Sequence, residues 1–315
     1  MRGPSVARRT RGVRKLRARG IAAGLALVVL GAAAQARAQE TVGTPEAVGD
    51  QLFFFYDASG PRTAFLNVAN PSDLPVDVEL SFYPSSGGRL ELRFVLGAWA
   101  NRIVNPGDTS GVGGTLGLAV MTPVAGPTSS QPIVPGAPLA GSFTQANATA
   151  GAAMGGNAIG RLAVGGNGAR AVPGATVDGT SVRYQRFTPP VLAIPTYFDP
   201  TTLDPPGMDG NRVILITFDD SYGDRYDPVA PAGQLSWALY DAEGGEVARG
   251  GQAASMVLAT SLQALAGGAT LDSSGKAYFQ YDTGQNGNVF GLFVQSLAAF
   301  GAGERMPAVG SFPPA

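Results

Sequence analysis

Residues 76–82 alternate apolar and polar side chains without a break: Val76, Asp77, Val78, Glu79, Leu80, Ser81, Phe82. Leu90, Glu91, Leu92, Arg93 and Phe94 repeat the pattern. A period of two places one face of a strand in a core and the other in water, and no helix presents that spacing on one side. Between the runs lies Pro84-Ser85-Ser86-Gly87-Gly88. Two adjacent glycines admit the positive φ that a tight hairpin requires. This part of the chain therefore folds as paired antiparallel strands.

The same grammar continues along the chain. Thr63 to Val68 reads as a strand, stopped at Asn70-Pro71-Ser72-Asp73 because Pro71 has no amide to pair. Arg212-Val213-Ile214-Leu215-Ile216-Thr217-Phe218 matches the strand that starts at Arg62. At an offset of 157 residues Tyr83 meets Tyr240, Gly87 meets Gly244, Gly88 meets Gly245 and Leu90 meets Val247. That recurrence points to an internal duplication. Strands at 277–281 and 289–294 follow, and the one helical stretch is 259–266.

Short alternating strands, Gly/Pro/Asn turns and the run Asn70-Pro71-Ser72-x-x-Pro75-Val76-x-Val78 resemble bacterial extracellular immunoglobulin-like modules. The likeness spans 51–105 and 191–300 and implies an architecture, not an activity. The expected fold is all-β: two immunoglobulin-like antiparallel β-sandwich units, an internal duplication, joined by a Gly/Ala-rich segment. The expected boundaries are 51–125 for the first unit, 126–190 for an excursion or linker, and 191–303 for the second unit. An extension at 39–50 precedes them and a frayed tail at 304–315 follows. Residues 126–180 hold 12 Gly and 12 Ala, so they offer little apolar area to bury. Ile159–Val164 is the strand expected within them.

Residues 1–38 carry nine basic groups and no acid, then an apolar run at 21–34 and Ala36-Arg37-Ala38. Basic head, short apolar middle and small residues at the end make a secretory signal peptide. A run of 14 residues is shorter than the ~20 a spanning helix needs. The expectation is export to the periplasm, cell surface or exterior, with no transmembrane segment after cleavage. From Gln39 onward 13 basic groups face 23 acidic ones, a net charge of −10. Such a surface repels nucleic acid.

Several chemistries are excluded by residue type. The chain has no His and no Cys, which removes Ser-His-Asp and Cys-His catalysis, thiolate sites and His-ligated zinc. Asp282-Thr283-Gly284 matches the aspartic-protease triplet, but that chemistry needs two carboxylates sharing a proton and no second triplet is present. Glu79 and Glu91 fall on the outward phase and read as solubilising groups rather than a glycosidase pair. The densest carboxylate cluster is Asp219, Asp220, Asp224 and Asp227, with Asp199, Asp204 and Asp209 upstream. Calcium takes six to eight oxygens from loops of this kind, so these four aspartates are the candidate metal ligands and calcium the one candidate cofactor. Trp99, Tyr83, Tyr222 and Tyr226 are candidates for a sugar-stacking platform. Trp237, mid-strand, is expected in a core.

No catalytic set is legible. The expected function is a non-enzymatic exported protein with a structural, adhesive or surface-assembly role, self-associating or joined to the cell surface. The alternative is a secreted carbohydrate-binding or carbohydrate-active protein with a glycan partner.

Overall fold

A computed structural model describes residues 47–149, 152–187, 191–197, 212–222, 226–269, 271, 275–282, 287–297, 300–306, 308–309 and 313. The leader at 1–38, Asp199, Asp204, Asp209, Asp224 and the Thr283-Gly284 turn lie outside the described residues. Within them the fold is all-β. The first half holds β1 (Val48–Gly49), β2 (Gln51–Asp57), β3 (Arg62–Ala69), β4 (Val76–Pro84), β5 (Leu90–Leu96), β6 (Asn101–Val104), β7 (Leu116–Pro123), β8 (Leu139–Asn147), β9 (Ala152–Asn157), β10 (Ile159–Arg161), β11 (Ala163–Gly165) and β12 (Val182–Tyr184). The second half holds β13 (Val191–Tyr197), β14 (Arg212–Ser221), β15 (Asp227–Val229), β16 (Gln234–Asp241), β17 (Glu246–Ala253), β18 (Val257–Ser261), β19 (Gly275–Asp282), β20 (Gly287–Leu297), β21 (Phe300–Arg305) and β22 (Ala308–Val309). One helical turn, α1 (Leu262–Leu265), is capped by Ser261, whose hydroxyl accepts from the Ala264 amide at 3.1 Å.

The β4–β5 hairpin turns where the glycines stand, with Gly87 at φ +94 and Gly88 at φ +86. Strand order shows how the two halves are built. One five-stranded sheet runs β10-β2-β7-β4-β5, another runs β17-β16-β19-β13-β22. The order β2-β7-β4-β5 recurs as β13-β19-β16-β17. A ten-stranded sheet runs β15-β14-β20-β21-β9-β8-β3-β6, with β18 also on β14 and β1 on β8. Within it β6-β3-β8-β9 recurs as β18-β14-β20-β21. An immunoglobulin sandwich sets strands A-B-E-D against C-F-G. With β2–β8 taken as A–G, this chain sets A-F-C-D against E-B-G, because its last strand pairs with β3 and continues into β9.

The two half-sheets meet at β9 and β21, which pair in parallel. Every other strand pairing is antiparallel among the described residues. Joining two corresponding edges in parallel turns one half-sheet over relative to the other, so their inner faces lie on opposite sides of the long sheet. The cores show this. Ile214, Ile216 and Phe218 of β14 pack with Phe290 and Leu292 into the first core, while Val213 and Leu215 pack with Val289 and Phe293 into the second. β14 is therefore apolar on both faces, which is why its sequence is a continuous apolar run rather than an alternation. Each such side chain contributes about 1.5–3 kcal/mol when buried.

Aligning Arg62 with Arg212 puts Ala64, Leu66 and Val68, which face the first core, onto Ile214, Ile216 and Phe218, which face away from the second. A match that kept the core-facing residues in step would lie one residue off, since a one-residue slip reverses every face of a strand. Residues 126–187 carry β8–β12, which pair into the sheets. Their small residues permit close approach. A Cβ at Gly160 would fall 2.1 Å from the Val48 carbonyl oxygen, and one at Gly141 would fall 2.8 Å from the Phe54 ring.

Candidate contact surface at the open sandwich edge

Among the described residues β5 ends one sheet and β6 ends the other, so the first sandwich is open on this side. The two edges are joined by a single turn, Gly97-Ala98-Trp99-Ala100, closed by the Ala100 amide on the Gly97 carbonyl at 3.2 Å. The turn is held from beneath by Asn70, the first residue of the Asn-Pro-Ser run. Buried Asn70 donates through Nδ2 to the carbonyls of Leu74 (2.8 Å), Gly97 (3.0 Å) and Leu96 (3.3 Å). Its Oδ1 accepts from the Ser72 amide at 3.1 Å and the Ser72 hydroxyl at 2.8 Å. The Trp99 amide donates to the Ser72 carbonyl at 3.0 Å, and the Asn70 amide to that of Ala100 at 2.9 Å. One amide side chain thus fuses the 70–75 loop to the 97–100 turn.

What this frame presents outward is apolar. Trp99 is 71% exposed, Ile103 67% and Leu74 61%, with Val95 exposed on β5. Trp99 has φ +55, and it is the one non-glycine residue at positive φ among the described residues. The left-handed region costs an L-residue roughly 1–2 kcal/mol. Arg102 of β6 lies over the Phe94 ring of β5 at 4.2 Å and spans the gap between the two edges. The sequence singled out Trp99 only as part of an aromatic set. The strain on its backbone has no signal in the sequence.

The other members of that set are elsewhere. Tyr83 and Tyr226 are buried and Tyr222 is half-buried, so they do not form a sugar platform with Trp99. Trp237 faces the second core half-buried, its Nε1 donating to the Leu265 carbonyl at 3.2 Å. Glu79 is not outward. It is buried, because β4, like β2 and β7 in the same sheet, is covered on both faces, and its carboxylate pairs with Arg89 and Arg93.

The described candidate calcium aspartates have three separate settings. Asp219 and Asp220 are consecutive on β14 and point to opposite faces. Asp219 accepts from the Tyr281 hydroxyl and the Ala232 amide, both at 3.3 Å. Asp220 is buried and ion-paired with Arg161 at 3.1 Å. Asp227 lies 3.1 Å from Arg89 and accepts from the Tyr83 hydroxyl at 3.2 Å. No group of three or more carboxylates placed to hold a metal ion occurs among the described residues.

Sequence inspection did not single out Arg161. It is fully buried and donates to Gln51 (2.8 Å), the Gln185 carbonyl (3.3 Å), Asn288 (3.5 Å) and both oxygens of Asp220. The rings of Tyr226 (4.6 Å), Tyr184 (4.7 Å), Phe53 (5.2 Å) and Phe218 (5.6 Å) surround the guanidinium. Burial works against its charge, but Asp220, together with the hydroxyls of Tyr226 and Tyr222, more than offsets this and holds it ionised. Burial likewise keeps Tyr184 and Tyr226 neutral far above the usual tyrosine range. This cluster ties β10 and β2 to β14 and β20 and reads as a structural joint.

The chain matches no protein-family model and no curated protein. Among the described residues no helix is long and apolar enough to cross a membrane.

Proposed function

We propose that the chain is a non-enzymatic exported protein with a structural, adhesive or surface-assembly role, and that the β5–β6 edge is its contact surface. The observation that carries this is Trp99: a large ring held in water on a strained backbone beside two strand edges that have no further strand neighbour among the described residues. Strain of this kind persists where the surrounding structure enforces it, and it clusters at functional positions. Open edges recruit extended segments of other chains. The leader-like 1–38 supports export. The recurrence of strand order supports an origin by internal duplication of one sandwich.

The test separates stability from contact. Trp99→Gly relieves the positive φ, so its unfolding free energy is expected to rise by about 1 kcal/mol. Loss of an aromatic anchor costs ≥ ~2 kcal/mol of binding, so retention on the host envelope is expected to fall about 30-fold or more. Unchanged retention by a folded Trp99→Gly protein would rule out this surface. A glycan-binding role is the second reading, favoured by the freedom of the Trp99 ring to stack on a sugar. Glycan-array binding by the isolated protein, lost in Trp99→Gly, would favour it.

A further inference from the structure

We propose that β5 is a self-pairing edge: two copies of this chain join antiparallel through it, about a two-fold axis at Leu92. The proposal rests on the reading of this edge as a contact surface and names its partner. β5 has β4 as its single strand neighbour among the described residues, and the register runs without a shift from Val76 opposite Leu96 to Phe82 opposite Leu90. It carries neither the proline nor the bulge that blunts an edge.

The pleat puts Glu91, Arg93 and Val95 on one face and Leu90, Leu92 and Phe94 on the other. When Leu92 opposes Leu92 of a second copy, Glu91 opposes Arg93 of that copy, and Arg93 opposes its Glu91. On the other face Leu90 opposes Phe94, and Phe94 opposes Leu90. The strip is complementary to itself in charge and in apolar character. Centring the pair on residue 91 would set Glu91 against Glu91, and centring it on residue 93 would set Arg93 against Arg93. Like charges directly opposite are destabilising, so the register centred on Leu92 is favoured over both of these neighbours. In that register the Leu96 end of β5 lies against Gly88 of the second copy, and the Trp99 turn of each copy flanks the interface.

The absence of cysteine makes the test direct. Opposed residues of an antiparallel pair have Cα atoms ~4.5–5.5 Å apart, within the ~4.4–6.8 Å span of a disulfide. The purified protein is expected to sediment as a dimer, and Leu92→Cys to form a covalent dimer on mild oxidation. Val172→Cys, 72% exposed and remote from the edge in sequence, is expected to cross-link no faster than random collision allows. Leu92→Lys and Leu92→Glu are each expected to be folded monomers, and their mixture to dimerise at least ~10-fold more tightly than either alone. A monomeric wild-type protein would overturn the proposal. So would Leu92→Cys cross-linking no faster than Val172→Cys, or a mixture of folded variants that fails to associate. Envelope retention that still depends on Trp99 in a monomeric protein would leave the contact surface standing and remove only self-pairing.

Discussion

Arg161→Ala is expected to lower the unfolding free energy by about 3–5 kcal/mol, the cost of leaving one partner of a buried ion pair alone. Asp220 has no exposure through which water could replace the guanidinium, since both side chains are fully buried. The loss also removes the donor to Gln51 and opens a space ringed by Phe53, Tyr184, Phe218 and Tyr226. Whole domains are stable by only about 5–15 kcal/mol, so this is a large share. The measurement is the denaturant midpoint with the slope unchanged. Arg161→Met combined with Asp220→Leu is expected to regain part of the loss, because no charge is then stranded. Full recovery is not expected, because Gln51 still lacks its donor. A loss below ~1 kcal/mol for the single variant would show that the joint does not hold the sheets together.

Asn70→Asp is expected to cost about 3–4 kcal/mol, although the side chain keeps its shape. The carboxylate retains the Ser72 bonds but cannot donate to Leu74, Leu96 and Gly97. Buried acceptors left without donors cost about 1–3 kcal/mol, and a charge facing carbonyls adds to that. Asn70→Ala is expected to cost less, about 2–3 kcal/mol, because it strands the carbonyls without adding a charge. Hydrogen exchange should localise the damage. The Trp99 amide, bonded to the Ser72 carbonyl, should exchange much faster while β2 and β7 keep their protection. Unaltered exchange at Trp99 would mean that Asn70 does not position the turn.

The strands that alternate were legible, as was the β4–β5 hairpin, because Gly87 and Gly88 announce a local conformation. Partnership between distant strands was not. Alternation tells which side chains share a face, and is silent on whether that face meets water or another sheet. Glu79 reads as exposed for this reason, yet both faces of its own strand are covered. β14 is ambiguous in the same way: an unbroken apolar run fits a strand buried on both sides, but nothing local names two cores. The parallel contact of β9 with β21 joins segments more than a hundred residues apart. Both strands are mostly Ala and Gly, with Met154 and Phe300 their only large apolar residues, so neither shows the alternation that would mark it. The Asn-Pro-Ser run was visible, but the role of Asn70 depends on the return of the chain at 97–100. Arg161 sits in a Gly/Ala-rich stretch where a lone charge looks like a solvated one.

The contact surface is tested most directly by watching Trp99 itself. The chain has two tryptophans, so a Trp237→Phe protein reports on Trp99 alone. In dilute solution its fluorescence should be quenched freely by iodide, as its exposure requires. In self-associated or envelope-bound protein the same fluorescence should shift to the blue and be shielded from iodide. Trp99 that stays equally quenchable in the associated form would contradict the account.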